Sequence, residues 1–446
     1  MTTQAVDVDA LAAEPQAVTP EPLGESLRNR ILLYLGVLIL LIGFGPIYGG
    51  LFDTPIRYIL KNKLHLSPTQ VSVFELAAAI PLYFSFVSGF LVDTWRPFGI
   101  RNRGFMILFG AVTMALYALF AFVHVTYLSL LVGVVLITAT YQFAVGAQSR
   151  LSSMMGRQHV MSGQVSAVWN IFLSVPTLIV FFAGGQLSDY LEKLPLAAAA
   201  RVLFLIGAGL LAAFTLYTLW RPGFVYDHLT PEESKPQPLK DIGRLARHWP
   251  VYPALLVWLL WNFAPGSVTP LQYYLQNTLH ADDAAFGNWN AIFAGSFIPT
   301  FMLFGVLCRR FPLKTLLLWG TVAAVPQMVP LLFLHSVAGS LVAAAFCGLM
   351  GGVATAAYYD LMIRSSPKGL EGTVLMFSVS LYWIASRFGD ILGSNLYQHF
   401  GGFTVCVIAI TVVYALILPA LLLVPRRLTA TADGEVPDEP TAEVFG

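Results

Sequence analysis

The sequence predicts an all-α integral membrane protein with twelve transmembrane helices in two six-helix bundles. Of its 446 residues, 57% are hydrophobic and only 11% are charged, whereas soluble domains carry about 25% charge. A soluble core could not hide this much apolar surface, because large soluble proteins divide into domains with polar exteriors. Long apolar segments recur along the chain, and basic residues gather in alternate loops. The lipid bilayer is therefore the expected solvent.

The predicted spans follow from length, since about 20 mostly apolar residues cross a bilayer. Glycines and Pro46 in the first span predict a kinked continuation toward Arg57. The twelve segments are 31–50, 71–92, 104–123, 126–147, 161–184, 200–220, 250–268, 286–308, 312–333, 338–361, 372–394 and 402–425.

The loops give an independent check on that count. With the N-terminus inside, 19 of the 25 Lys and Arg residues fall on the cytoplasmic side, five fall outside, and Arg387 falls within a span. Cytoplasmic loops of membrane proteins carry such an excess of basic residues, and a missed span would invert the bias downstream. The pattern predicts cytoplasmic termini and an even number of spans, in the cell (inner) membrane.

The longest internal connection is rich in Pro, Glu and Lys and lies between the sixth and seventh spans. Within it, Leu239, Ile242 and Leu245 have the spacing of a short helix on the membrane surface. Both ends of the chain are polar and acidic, which is typical of disorder. The predicted order is a disordered cytoplasmic tail (1–26), a first bundle (27–220), a linker (221–249), a second bundle (250–427) and a disordered cytoplasmic tail (428–446).

A faint repeat relates the two bundles. Arg150 follows the fourth span and Gly163 opens the fifth; Arg364 follows the tenth span and Gly372 opens the eleventh, at an offset of about 210 residues. Repeats related by an axis along the membrane normal occur in transporters with two similar halves.

The segment 89–103 reads Gly-Phe-Leu-Val-Asp-Thr-Trp-Arg-Pro-Phe-Gly-Ile-Arg-Asn-Arg. It resembles the signature of the major facilitator superfamily in the loop between the second and third spans. The resemblance implies a cytoplasmic gate, in which the glycine allows a close helix crossing and the aspartate pairs with a base or caps a neighbouring helix. The corresponding loop of the second half, 305–312, lacks the aspartate. The implied gate residues are Gly89, Asp93, Gly99, Arg101 and Arg103.

A narrower resemblance is carried by segment 58–70 (Tyr-Ile-Leu-Lys-Asn-Lys-Leu-His-Leu-Ser-Pro-Thr-Gln) and segment 367–373 (Pro-Lys-Gly-Leu-Glu-Gly-Thr). Both are similar to the folate-biopterin transporter family, although Asn62 stands where that family commonly has an acid. The resemblance implies a secondary active transporter that moves a pterin, a folate or a similar organic anion by alternating access, coupled to protons. The alternative is a non-transporting scaffold or assembly factor of the same fold.

Ionisable residues within spans are candidate functional residues, because each costs about 2.5–3.5 kcal/mol on insertion scales. Arg387 and Asp390 lie three residues apart and share a helical face. They are predicted to bind an anionic substrate, with a purely structural ion pair as the alternative. Glu75 and Asp53 are predicted proton carriers, because a carboxyl group in a low-dielectric cavity exchanges protons near neutral pH. Ordinary interfacial charges are the alternative.

Amides and aromatic rings complete the predicted substrate site. Gln142, Asn170 and Asn262 are expected to face a cavity, since lipid would leave their amides unpaired. Trp261 and Trp383 are predicted to stack on a flat heterocycle. Other aromatic residues near span ends, such as Tyr358 and Tyr359, are more typical of an interfacial belt.

The sequence disfavours a transport ATPase and an intramembrane metalloprotease. The sequence has no Gly-x4-Gly-Lys-Ser/Thr phosphate loop and no His-Glu-x-x-His run, and its three cysteines (Cys308, Cys347, Cys406) have no metal or redox spacing. The net charge of +1 attracts no nucleic acid. The prediction is not an enzyme but a monomer in the bilayer, without metal or cofactor, whose partners are a small-molecule substrate and protons.

Overall fold

The structure is a computed structural model that describes residues 22–46, 51–95, 102–229, 238–281, 283–333 and 336–435. These residues form helices joined by short connections, with no strand among them. Helices lie at the positions of all twelve predicted spans, which are numbered 1 to 12 below.

The first half contains spans 1 to 6. Span 2 is interrupted, whereas spans 3 to 6 are continuous. The helices are Glu25–Gly43 (span 1), Asp53–Tyr58 and the π-helical turn Ile59–Lys63 after it, Pro68–Ala78, Ile80–Tyr83 and Ser85–Thr94 (together span 2), Asn102–Phe120 (span 3), Tyr127–Gln158 (span 4), Ser162–Glu192 (span 5) and Leu196–Leu219 (span 6).

The second half contains spans 7 to 12 and follows the predicted linker. A helix is present at Pro238–Arg247, where the sequence predicts a short one. The helices are Gly223–Tyr226 and Pro238–Arg247 (linker), Val251–Asn262 and Thr269–Asn277 (span 7), Asp283–Leu307 (span 8), Leu313–Ala324 and the 3-10 turn Val329–Phe333 (span 9), Val337–Ser365 (span 10), Glu371–His399 (span 11), Phe403–Ala415 and Ile417–Leu421 (span 12) and the turn Arg426–Thr429.

The all-α membrane fold is confirmed. Within the described ranges, nine helices are long and apolar enough to cross a membrane. The remaining three predicted spans differ in kind: spans 2 and 7 are broken into shorter helices, and span 11 carries Glu371, Arg387 and Asp390. Large apolar side chains such as Leu216 and Phe388 are exposed, as is expected of a protein whose surroundings include hydrocarbon.

The structure differs from the sequence prediction at both ends of the membrane region. Span 1 ends at Gly43 rather than near residue 50. The prediction of disorder from residue 428 is wrong for residues 428–435, because Thr429 closes a helical turn and Asp433 is buried against other spans. Composition indicated a disordered tail, but hydrogen bonds to buried groups hold residues 428–435 in place. Residues 1–21 and 436–446 of the two predicted tails lie outside the described residues.

Spans 8 and 10 approach closely because glycines face the contact. A Cβ atom at Gly352 would overlap Thr300 Oγ1 and would lie 2.6 Å from Thr300 Cβ. One turn away, a Cβ at Gly348 would lie 2.5 Å from the Phe293 carbonyl oxygen. Small residues allow such close packing between membrane helices.

We expect Gly352→Ala to destabilise the protein by about 1–3 kcal/mol, since overpacking a tight contact has that cost. The measurement is the melting temperature of the purified protein in detergent. Gly209→Ala is the matched control, because a Cβ there would meet no atom within 4 Å. Equal melting temperatures for the two variants would contradict the close-packing argument.

Candidate functional site

The cytoplasmic end of span 2 reaches across to span 11. The Asp93 carboxylate accepts hydrogen bonds from the Gly372 N–H (3.2 Å), the Thr373 N–H (2.6 Å) and the Thr373 hydroxyl (2.6 Å). Asp93 therefore caps the N-terminus of span 11, where a negative charge is favourable. Gly89 lies one turn earlier, and a Cβ there would overlap the Gly372 carbonyl oxygen. Both residues therefore contact span 11 closely, and their part in a gate stays a prediction.

Arg150, near the end of span 4, completes this first latch. Its Nε lies 2.9 Å from Asp93 Oδ1, and both side chains are almost fully buried. Its Nη1 donates to Asn102 Oδ1 at 2.6 Å. A buried ion pair is tolerated when further hydrogen bonds satisfy both partners. The first latch thus consists of Asp93, Arg150 and the first turn of span 11.

Basic residues add further contacts at the same face. Arg157, at the end of span 4, donates to the Ser366 carbonyl oxygen and lies 3.4 Å from Glu371 Oε1. Arg244, on the linker helix, donates to the Lys368 carbonyl oxygen. Residues 366–371 are therefore held by both the first half and the linker.

A second charged cluster joins the halves at the start of span 5. Arg364 Nε lies 3.0 Å from Asp360 Oδ1 and donates to Ser162 Oγ at 3.0 Å. Its Nη2 lies 2.9 Å from Asp433 Oδ1. Burial raises the pKa of Asp433 to about 7; Asp360 acts in the same direction and Arg364 opposes it. Sequence reasoning did not identify Arg150, Arg364 and Asp433 as residues that make these contacts, although the repeat had already paired the two arginines.

The structure shows no contact with the second half for the other predicted gate residue that it describes, Arg103. Arg103 Nε donates to the Thr218 carbonyl oxygen at 3.0 Å, and its Nη2 donates to the Leu219 carbonyl oxygen. The structure differs here from the prediction: Arg103 caps the C-terminus of span 6 within the first half, because a cation satisfies the unpaired carbonyl groups there. Gly99 and Arg101 lie outside the described residues.

Two of the predicted amides lie in opposite halves. Asn170 on span 5 and Asn262 on span 7 are half-buried. Each donates to the carbonyl oxygen four residues earlier, Ser166 O and Trp258 O respectively, at 2.8 Å. This bond fixes the orientation of each amide and leaves its side-chain oxygen as an acceptor.

An aromatic cluster connects the halves. The Trp169 ring of span 5 stacks on the Tyr359 ring of span 10, with centroids 5.2 Å apart and planes 16° apart. The Trp258 ring of span 7 lies 6.2 Å from Tyr359. Tyr359 is buried, so it belongs to this cluster and not to the interfacial belt that its position near a span end suggested.

The other amide and aromatic candidates lie within single halves. Trp261 is buried between Tyr414, at a ring distance of 4.6 Å, and Tyr358, at 5.5 Å. Gln142 is buried beside span 2, where Ser88 donates to its main-chain oxygen at 3.2 Å. The structure thus packs the Trp261 ring within the second half and buries Gln142 on span 4. The Trp383 ring packs edge-to-face on Tyr382 at 5.3 Å.

Asp390 stabilises the break in span 7. Its two carboxylate oxygens accept the Thr269 N–H at 2.9 Å and the Thr269 hydroxyl at 2.8 Å, which caps the outer helix of that span. Gly266 at the break has φ +107°, and a Cβ at Gly393 would overlap its nitrogen. Arg387 lies one turn before Asp390 on span 11 and is exposed.

The predicted proton carriers lie near the opposite face. Glu75 Oε1 lies 2.9 Å from Arg57 Nε, with the Glu75 side chain 17% exposed and the Arg57 side chain 53% exposed. Asp53 begins the helix Asp53–Tyr58, and its side chain is outside what the structure describes.

Comparisons with known sequences agree with the sequence resemblance. The family model described as Major Facilitator Superfamily matches residues 158–389. A folate-biopterin transporter from Synechocystis sp. is 24% identical over 417 residues, which cover 88% of this chain and 82% of that protein. Folate transporter 2 of Plasmodium falciparum is 22% identical over 161 residues, which cover 36% of this chain and 35% of that protein.

Solved structures share the fold. The transporter FucP in the outward conformation superposes with a TM-score of 0.67 at 15% identity, over 88% of this chain and 98% of that chain. The proton:xylose symporter XylE gives 0.63 at 11% identity, over 90% and 97%. A bacterial homologue of the iron transporter ferroportin, outward-facing, gives 0.59 at 16% identity, over 89% and 98%.

Proposed function

We infer, since this chain belongs to the Major Facilitator Superfamily of transporters, that it moves a pterin, a folate or a similar organic anion by proton-coupled alternating access. It would act as a monomer in the cell membrane, with both termini cytoplasmic. The observation that supports alternating access most directly is the first latch, in which Asp93 of one half caps span 11 of the other. A contact of this kind between halves holds in one access state and must open in the other.

The contacts at the cytoplasmic face also support an outward-open state. The Asp93 and Arg364 clusters both lie at the predicted cytoplasmic face, where they close the space between the halves. A protein closed on this side is expected to receive its substrate from the outer side. Two of the solved structures with the same fold are described as outward-facing.

The cargo is inferred from the relatives and from the side chains near the centre. The Synechocystis relative is named a folate-biopterin transporter. A flat pterin ring could stack on the rings of Trp169, Tyr359 and Trp258, as aromatic groups do at separations of 4.5–7 Å. Asn170 and Asn262 offer amide oxygens to the donor groups of such a ring. We retain Trp383 as a further stacking candidate.

Arg387 is the proposed anchor for the anionic part of the cargo. A guanidinium binds a carboxylate through two parallel hydrogen bonds, and a cation within a membrane span is otherwise costly. Asp390, one turn away, holds Thr269 and so sets the position of the outer part of span 7. We propose that Asp390 shapes the site while Arg387 contacts the cargo. Glu75, paired with Arg57, is the proposed proton carrier together with Asp53.

The test is uptake of labelled folate or biopterin into liposomes that contain the purified protein, with and without an imposed proton gradient. We expect gradient-driven uptake that Arg387→Ala lowers at least tenfold, because the loss of a charge-assisted bidentate contact costs about 1.5–3 kcal/mol. Arg310→Ala, an exposed arginine at the cytoplasmic face, is the matched control and should transport normally.

The outcomes separate the parts of the proposal. Uptake that survives in Arg387→Ala would retain the carrier and make Arg387 structural. Uptake without any response to the gradient would remove proton coupling alone. Absence of uptake of both compounds by folded protein would remove the pterin assignment, and the scaffold alternative would then gain support.

A further inference from the structure

The second half lacks the aspartate that closes the first latch. In the first half, Asp93 follows Gly89 by four residues; in the corresponding loop of the second half, Arg309 follows Gly305 by four residues. The N-terminus of span 5 nevertheless has a carboxylate cap. The Gly163 N–H donates to Asp433 Oδ1 at 3.2 Å, and the Gln164 N–H donates to Asp433 Oδ2 at 2.9 Å.

The two caps have the same chemistry at related positions of the repeat. Asp433 lies 2.9 Å from Arg364 Nη2, as Asp93 lies 2.9 Å from Arg150 Nε. Arg364 lies near the cytoplasmic end of span 10 as Arg150 lies near that of span 4. Each carboxylate accepts two successive backbone N–H groups, and the first of each pair belongs to a glycine. The caps differ in origin, since Asp93 ends span 2 whereas Asp433 lies beyond span 12.

The segment that carries Asp433 is itself bound to both halves. The Asp433 N–H donates to the Cys308 carbonyl oxygen at 2.8 Å, and the Gly434 N–H donates to the Val160 carbonyl oxygen at 2.7 Å. The Thr431 carbonyl oxygen accepts from Arg364 Nη1 at 2.9 Å. The segment 426–435, named the C-terminal strap below, therefore joins the end of span 8, the end of span 10 and the loop before span 5.

We propose that Asp433 is the gate aspartate of the second half, supplied by the C-terminal strap in place of the missing aspartate after span 8. The strap holds the start of span 5 against spans 8 and 10 while the cytoplasmic side is closed. It must release Gly163 and Gln164 when that side opens. The inference rests on the proposed alternating access, and it makes Asp433 a positioning residue that does not contact the cargo.

The chain contains a reporter for release of the strap. Cys308 is 1% exposed. Its main-chain oxygen binds the strap, and a Cβ at Gly163 would lie 2.8 Å from its Cβ. The other two cysteines, Cys347 and Cys406, are also buried but lie elsewhere in the second half. Opening of the strap should therefore expose the Cys308 thiol and leave Cys347 buried.

The experiment measures the rate of maleimide labelling of the purified full-length protein in a Cys347→Ala/Cys406→Ala background. We expect Asp433→Ala to raise the labelling rate of Cys308 about tenfold, since the loss of one charged cap shifts a two-state equilibrium by roughly that factor. A chain that ends at Ala432 should behave likewise. A chain that ends at Glu435 keeps the whole strap and should label like the parent.

A second reporter separates gating from general loosening. In a Cys308→Ala/Cys406→Ala background, Asp433→Ala should leave the labelling of Cys347 unchanged. The proposal is overturned if Asp433→Ala and the chain ending at Ala432 both label Cys308 at the parent rate, or if Cys347 becomes reactive in parallel. Labelling needs no substrate, so a failure here is distinct from a failure of the transport assay.

Discussion

Replacement of Arg150 by methionine should lower the free energy of unfolding by about 3–5 kcal/mol, which is the cost of leaving a buried charge without its partner. Arg150 lies 2.9 Å from the Asp93 carboxylate, and neither side chain is more than 4% exposed. Methionine fills much of the same volume but supplies no charge. The melting temperature in detergent is the direct measurement.

Two further variants test the origin of that loss. In Asp93→Asn/Arg150→Met the buried charge is absent, and the Asn side-chain oxygen still accepts from Gly372 and Thr373, so most of the stability should return. Arg221→Met breaks an exposed pair with Asp227, in which the side chains are 62% and 66% exposed. It should cost no more than about 1 kcal/mol. A double variant as unstable as Arg150→Met would refute the unpaired-charge explanation.

Gly89→Val should reduce uptake in liposomes at least tenfold while each half remains folded. A Cβ at this position would overlap the Gly372 carbonyl oxygen and lie 2.7 Å from Met376 Cβ. The obstacle is largely backbone of the other half, which cannot rotate away as a side chain would. Spans 2 and 11 would have to separate, and Asp93 would lose its bonds to span 11. The outward-facing state would then lose its cytoplasmic closure, which is expected to cost much more than 1.4 kcal/mol, the equivalent of a tenfold change.

The matched control for Gly89→Val is Gly146→Ala. A Cβ at Gly146 faces the same contact but would lie 3.4 Å from the nearest atom, Met376 Cγ, which is ordinary packing. We expect this variant to transport at the parent rate. Parent-like uptake by Gly89→Val would show that the close crossing is not required for the cycle.

The membrane fold was predictable because hydropathy and loop charge act over whole segments of about 20 residues. The residues that make the cytoplasmic contacts between the halves were harder to predict. Asp93 could be predicted because a local signature surrounds it. Arg150 has the appearance of an ordinary loop charge, and only a contact 57 residues away in sequence gives it a role. Asp433 lies in an acidic tail, where composition alone indicates disorder.

In the candidate site, too, residue type predicted some features and not others. Residue type could identify Asn170 and Asn262 as residues that avoid lipid, and the structure gives each a defined orientation. Residue type could not decide which face of a helix carries Trp261, because an apolar bundle interior accepts a tryptophan as readily as a cavity does. Tyr359 was taken for an interfacial residue for a different reason. The helix of span 10 extends several residues beyond its apolar segment, so Tyr359 is further from the end of the helix than the sequence suggested.

Span 11 has a mechanical consequence that follows from its length and its two attachments. Its 29 residues form one unbroken helix, about 43 Å long at 1.5 Å per residue. Asp93 of span 2 binds the first turn of span 11. Nearly 20 residues further along the same helix, Asp390 binds Thr269 of span 7. We expect such a stiff helix to move as one body. If the bonds to Asp93 break and the cytoplasmic end of span 11 moves, the part that carries Asp390 should move with it and displace the outer helix of span 7.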